Sequence, residues 1–410
     1  MASRFPFPKL PSGWFAAAFS KDVAPGQVIT VRFFGQDLVI FRTEGGEVRA
    51  TDPHCPHLGA HFGYGGAIVG ESLRCPFHGW QFGADGACVS ALGAAKAPKA
   101  KLPLRELREQ NGVLLVWHHA DGIAPTWEPV PYDDTDMTEM QTVKWPIRSH
   151  PQEIAENTVD IAHLGPVHHI YEWNIVQRLA LEDHRLHIIL GLVVSGAPIG
   201  MPDLINDVHL DVTAQGIGML MVETDVRTAG VRARQRIYTT CTDEDMVVIH
   251  GAVNTHILPD REFTTHVDSL FYQAFLEDFP KDFPIWSNKR YVPKPVLSSA
   301  DGPIMRYRRW SGQFYGTALP DVADDASAEP VVMAPPPPPV RSALPPKGAP
   351  SWLPSFPGIV GRAVSRTTEL AQLVLNRVAA ARAEPKPAAP PSNGAHATAA
   401  AQPVAAPASA

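Results

Sequence analysis

The chain has 410 residues, a formal net charge of −7 and a pI near 6.2; that length leaves room for two domains and further segments. The acidic balance excludes the basic face that nucleic-acid binding requires, and no run of about 18 apolar residues offers a membrane span. Four cysteines without a disulfide framework, and no apolar leader in MASRFPFPKLPSGWF, point to a reducing cytoplasm.

Residues 1–12 read as a loose arm, and 13–125 as a small all-β domain. Its strand candidates are Gln27–Phe34, Leu38–Arg42 and Val113–Trp117, with the early ones separated by turn signals at 34–37 and 44–47. Between them stand two short pairs, Cys55-Pro56-His57 and Cys75-Pro76-Phe77-His78. Each pair brings one thiolate and one imidazole. A zinc finger would gather both Cys in one pair and both His, on a helix, in the other. The mixed order and strand-like flanks instead suit a [2Fe–2S] cluster with two Cys on one iron and two His on the other. His54 and His61 fit neither pair and read as loop histidines.

Residues 126–319 change character and read as an α+β unit, an antiparallel sheet packed on a few helices. A strand at 140–147 precedes a helical segment at 152–169; strands follow at 186–194, 208–213, 218–223, 233–240, 246–254 and 263–270, then helices at 272–289 and 302–315. Within the first helical segment lie Asn157, Asp160, His163, His168 and His169. Two His and a carboxylate on one face of a ferrous ion leave positions open for oxygen and substrate. On a regular helix, residues five apart point about 140° from each other. His163 and His168 therefore need a break between them, and Gly165-Pro166 would supply it; His169 is the competing ligand. Asp160, three residues before His163, is placed to accept a hydrogen bond from a ligand imidazole, and Asn157 extends the same stripe. Spacing does not choose the third ligand among Glu277, Asp278 and Asp282.

Past residue 320 the chain turns to low complexity: a Pro-rich linker at 320–364, an amphipathic helix at 365–383 able to dock on the body, a partner or a membrane surface, and an Ala/Pro-rich disordered tail at 384–410.

The Cys55–His78 stretch resembles the Rieske signature. Ala60 and Phe77 stand where respiratory Rieske proteins carry an extra disulfide, which implies the lower-potential cluster of oxygenases and their ferredoxins. The segment from Asn157 to His168 resembles the signature of Rieske non-haem iron oxygenases, and the resemblance runs over about residues 13–316. It implies that Cys55, His57, Cys75 and His78 hold the cluster and that His163 and His168 bind mononuclear Fe(II). Asp282, before Ile285-Trp286, is implied as the third iron ligand, with Glu277 and Asp278 left as solvated helix charges. It further implies a homotrimer in which Asp160 bridges to a cluster histidine of the neighbouring subunit, and O2 as co-substrate. No GxGxxG fingerprint occurs, so electrons come from a separate NAD(P)H reductase, with or without a ferredoxin.

Residues 282–315 are similar to the steroid-acting members, the oxygenase component of 3-ketosteroid 9α-hydroxylase and the cholesterol 7-desaturases. The expectation is a terminal oxygenase that hydroxylates, desaturates or demethylates a sterol or steroid-like hydrophobic substrate. The alternatives are an oxygenase for an aromatic or amine substrate, and an electron carrier without an oxygenase site.

Overall fold

The structure, a computed structural model, describes residues 4, 5, 7, 10–170, 172–196, 201–298 and 300–316. The linker, amphipathic helix and tail expected beyond residue 320 lie outside the described residues.

Three small antiparallel sheets build the first third of the chain. One orders Gly13–Phe19, Val113–His118 and Leu107–Gln110; a second orders Val28–Phe33, Gln36–Arg42, Val48–Thr51 and Leu104–Arg105. The third, a meander of short strands from Ala67–Val69 to Cys88–Ser90, lies against the cysteine loops. Its core (Val39, Phe41, Phe62, Leu73 and Phe82) packs directly on Cys55 and Cys75.

A seven-stranded antiparallel sheet follows. Five strands run as a meander from Arg185–Gly196 to Met246–Thr255; Glu172–Glu182 closes one edge and Gln141–Ile147 the other. Around it lie α1 (Pro151–Glu156), α2 (Leu164–His168), α3 (Arg261–Asp278), α4 (Phe283–Asn288) and α5 (Ile304–Ser311). Phe15, Leu38 and Ile40 from the first part share one hydrophobic core with Leu190, Ile249 and Trp286 from the second. Backbone bonds tie the two parts together as well: Phe34 N–H donates to Cys241 O at 2.9 Å and Gly35 N–H to Thr242 O at 2.8 Å. Shared apolar burial, at about 25 cal/mol per Å², makes the two parts one packed body.

Three local expectations change. The strand expected at 263–270 is the first half of α3. Phe263, Val267, Phe271 and Phe275 recur every four residues, a helical stripe rather than an alternating one; Asp260 caps it by accepting from Phe263 N–H at 2.9 Å. The single helix expected at 152–169 is α1 and α2 joined by turns at 157–163. Asn157, Thr158 and Asp160 are short polar residues that favour turns over helix interiors. Finally, the arm is packed where it is described: Phe5 is buried, and Arg4 donates to Trp286 O and Lys289 O at 2.9 and 2.8 Å, capping the end of α4.

Three histidines are held neutral by the fold. Burial depresses His118 to about 4 and His150 and His250 to about 3, against about 6.5 when unfolded. A depressed histidine favours the fold fully above pH 6.5 and less as pH falls through 6.5 toward its folded value. At pH 5 the loss is about 2 kcal/mol each for His150 and His250. Urea midpoints should fall between pH 7 and pH 5, and His250→Leu should flatten that fall by the equivalent of about one proton. Parallel pH curves for the two proteins would exclude this assignment.

Candidate metal centres

Two loops repeat the same backbone design. Cys55 N–H donates to Ala60 O and Cys75 N–H to Trp80 O, both at 2.8 Å; Gly59 N–H returns to Cys55 O at 2.9 Å and Gly79 N–H to Cys75 O at 3.2 Å. Each loop closes through a glycine in the left-handed region, Gly59 at φ 75° and Gly79 at φ 67°, where a side chain is strained. The result places buried Cys55 and Cys75 beneath the tip, where burial chiefly, with Cys75 alongside, pushes the Cys55 thiol up to about 11. His57 and His78 stand above them with ring centroids 4.7 Å apart, and His57 stacks on Trp80 at 4.2 Å. His54 and His61 pair with each other across a β-bridge beside this tip.

The second site forms where α1, α2 and the end of α3 meet. His163 is the N-cap of α2 and His168 its last residue. The break expected between them at Gly165-Pro166 is absent: His163 is itself helical and those two residues occupy the first turn of α2, so the two rings come within 5.3 Å across one short helical turn, and the chain breaks before α2 instead, at 157–163. Tertiary pressure sets that break: Gly302, at φ 73°, has Val159 O only 2.3 Å from where a Cβ would stand, so any side chain there would displace the turn carrying Asp160. Asp282 comes in from the 3₁₀ turn Phe279–Asp282 after α3 and is 5% exposed. One ligand atom from each of His163, His168 and Asp282 lies within 4.8 Å of the others, the one such group of three or more His, Cys, Asp or Glu donors among the described residues. His168 Nε2 is 3.2 Å from Asp282 Oδ2. Asn157 Nδ2 donates to Asp282 Oδ1 at 3.1 Å and lies 3.5 Å from His163 Nε2; Trp286 Nε1 in turn donates to Asn157 Oδ1 at 3.3 Å. Two imidazoles and a carboxylate on one side of a point are the donor set of a non-haem iron site.

Comparison with known proteins follows this division of the chain. A model of the Rieske [2Fe-2S] domain matches residues 13–103, and one of the 3-ketosteroid 9alpha-hydroxylase C-terminal domain matches residues 116–315. A cholesterol 7-desaturase of Xenopus laevis is 30% identical over 346 residues, 77% of this chain and 74% of the relative. The chain belongs to the Rieske oxygenases. The oxygenase component of a Rhodococcus rhodochrous 3-ketosteroid-9-alpha-monooxygenase is 28% identical, over 76% of this chain and 85% of the relative. The fold is that of dicamba monooxygenase, whose crystal structure overlays with a TM-score of 0.59 at 17% identity, covering 74% of this chain and 97% of that one. The cofactors of this Rieske oxygenase are a [2Fe–2S] cluster and a mononuclear iron. No helix among its described residues is long and apolar enough to cross a membrane.

Around the three-residue group this oxygenase departs from the expected roles at two positions. Asp160 meets His163 through its main chain: the Asp160 carbonyl takes the His163 Nδ1 hydrogen, because the turn directs that carbonyl inward. Burial raises the Asp160 carboxyl, against the pull of His163 and Lys289. Asp278, expected to be a solvated helix charge, has its Oδ2 3.0 Å from His168 Nδ1; Glu277 is exposed as expected, and so is His169. Burial opposes charge on His168, but Asp278 and Asp282 outweigh it and raise its pKa to about 9. The pocket therefore favours a positive charge where the three donors meet. Sequence reasoning weighs Asp278 as a third ligand and then leaves it in solvent; the signal for its place beside His168 is its position one helical turn before Asp282, which puts both on one face.

Behind the site lies a buried ionic layer. Arg308 grips Glu156 with two bonds, 2.6 and 2.8 Å, and Lys289 reaches Glu153 at 2.9 Å. Glu156 immediately precedes Asn157, and Lys289 follows α4, so this layer joins the two backbones that deliver Asn157 and Asp282.

Proposed function

We propose that this chain is the terminal oxygenase of a multicomponent system that hydroxylates, desaturates or oxidatively demethylates a sterol or steroid-like substrate. The observation that carries the substrate class is the pair of long relatives, a cholesterol 7-desaturase and a 3-ketosteroid oxygenase component, each aligned over about three quarters of this chain. The expected ligand sets are Cys55, His57, Cys75 and His78 for the cluster and His163, His168 and Asp282 for the iron. The donor types and the compactness of the second group support that reading. When bound, the iron supplies oxidation of an unactivated C–H bond with O2, and the cluster supplies the electrons.

The residues have separate tasks. Asp282 divides its oxygens, Oδ1 held by Asn157 and Oδ2 turned toward His168, so its orientation is set before any metal binds. The Asp160 carbonyl keeps the hydrogen of His163 on Nδ1 and leaves Nε2 as a lone-pair donor. With its main chain committed to His163, the half-buried Asp160 carboxylate is available to a cluster histidine of a neighbouring subunit, in keeping with a homotrimer. A separate NAD(P)H reductase, directly or through a ferredoxin, would reduce the cluster; the Rhodococcus relative's name as an oxygenase component supports that arrangement.

The test is turnover of the purified chain with a reductase and a panel of sterols, 3-ketosteroids, aromatic acids and N-methylated heterocycles, with products read by mass. Gain of oxygen, loss of hydrogen or loss of a methyl group on a sterol or ketosteroid is the expected result. Turnover confined to an aromatic or amine would overturn the substrate class, and a chain holding the cluster but no further iron would leave an electron carrier.

A further inference from the structure

Resting on the iron assignment proposed above, we infer that Asp278 is a positioning residue for His168, its carboxylate on one ring nitrogen aiming the other at the metal. An imidazole offers a metal one nitrogen; the other keeps its hydrogen and needs an acceptor that fixes tautomer and ring orientation. His168 has a carboxylate oxygen within ion-pair reach of each ring nitrogen, the Asp278 oxygen lying off the line of a straight Nδ1 hydrogen bond. Its Nε2 faces Asp282 Oδ2 at 3.2 Å, and its Nδ1 faces Asp278 Oδ2 at 3.0 Å.

The local backbone makes an outside anchor necessary. His168 ends a helix of five residues, and the next residue, His169, turns left-handed at φ 61°. So short an element does not by itself hold a ring in place. Asp278 is the last residue of α3, and Asp282 ends the 3₁₀ turn that follows. One stretch of backbone thus delivers both an iron ligand and the group that orients another ligand, so a shift of that turn moves the two together. The two histidines also differ in kind: a neutral main-chain carbonyl backs His163, while a carboxylate backs His168. A carboxylate makes its imidazole the more basic ligand.

The competing account is a surface carboxylate paired with Lys281, whose Nζ is 2.6 Å from Asp278 Oδ1; the Asp278 side chain is 49% exposed, against 9% for His168. The experiment separates the two. Full-length wild type, Asp278→Asn, Asp278→Glu and Lys281→Met would be titrated with ferrous ion against a chelator. Circular dichroism would check the fold and cluster absorbance would serve as internal control; the ferrous site would be probed with nitric oxide by electron paramagnetic resonance.

Asp278→Asn should weaken ferrous binding about 10- to 100-fold and change the nitrosyl signal with the cluster spectrum intact. Asp278→Glu should recover part of the loss, and Lys281→Met should bind like wild type. Equal affinity and signal in Asp278→Asn, or an equal loss in Lys281→Met, would overturn the role of Asp278. Wild type that takes up no ferrous ion beyond its cluster would instead defeat the iron assignment itself.

Discussion

His163→Ala is expected to lower the iron content from about three per chain to about two and to abolish turnover, while the cluster absorbance stays as in wild type. The side chain lost is one of three whose ligand atoms meet within 4.8 Å, and the remaining His168 and Asp282 give only two donors. Activity should fall at least about a thousandfold, the equivalent of roughly 4 kcal/mol of lost metal-ion stabilisation of the reaction. The neighbouring His169→Ala is the control, because that ring is exposed on a left-handed turn; it should keep both iron and activity. Iron analysis by mass spectrometry beside the visible spectrum reads both outcomes. Retained iron and turnover in His163→Ala would refute the site, and loss in His169→Ala would give that residue the ligand role.

The second large effect concerns stability. Arg308→Leu should destabilise the chain by about 3–5 kcal/mol, since removing one partner strands a buried charge. Arg308 and Glu156 are 5% exposed each, and the guanidinium also donates to Val292 O at 2.7 Å and lies 4.5 Å from the Tyr291 ring centroid. The thermal midpoint should drop on the order of 10 °C, and iron should be held less tightly because Glu156 leads directly into Asn157. Adding Glu156→Leu removes the stranded carboxylate, so the double variant should recover part of the loss rather than add to it. Additive losses in calorimetry would mean that the two residues act independently and would exclude the paired account.

How far the chain could be read in advance followed from the range of each interaction. The Cys55–His78 pairs lie on two tight loops, and within such loops the order and spacing of donors speak directly for the geometry; the matching backbone bonds of the two loops reflect that. His163 and His168 come together as their spacing in the motif suggests, but the break expected between them at Gly165-Pro166 is absent and the chain turns before His163 instead. Gly165-Pro166 is a strong local signal, but the turn at 157–163 is held by Gly302 and by the ionic layer, which local pattern does not contain. The strand expected at 263–270 fails for a different reason: its apolar residues recur at every fourth position, a helical period.

The written chain carried its own donor chemistry: two Cys, four His and the set of carboxylates, grouped closely enough in sequence to imply two iron centres of different kinds. The motif before Ile285-Trp286 pointed to Asp282, and folding decided how each carboxylate meets the site. Asn157 and Asp282 are 125 residues apart yet share a hydrogen bond, and among the acids at the end of α3 it is burial and approach angle that turn Asp282 inward, set Asp278 on the far nitrogen of His168 and leave Glu277 in water. Spacing constrains neighbours within a turn or two; contacts between distant elements depend on how sheet and helices pack, because the apolar burial that drives packing has no preferred direction.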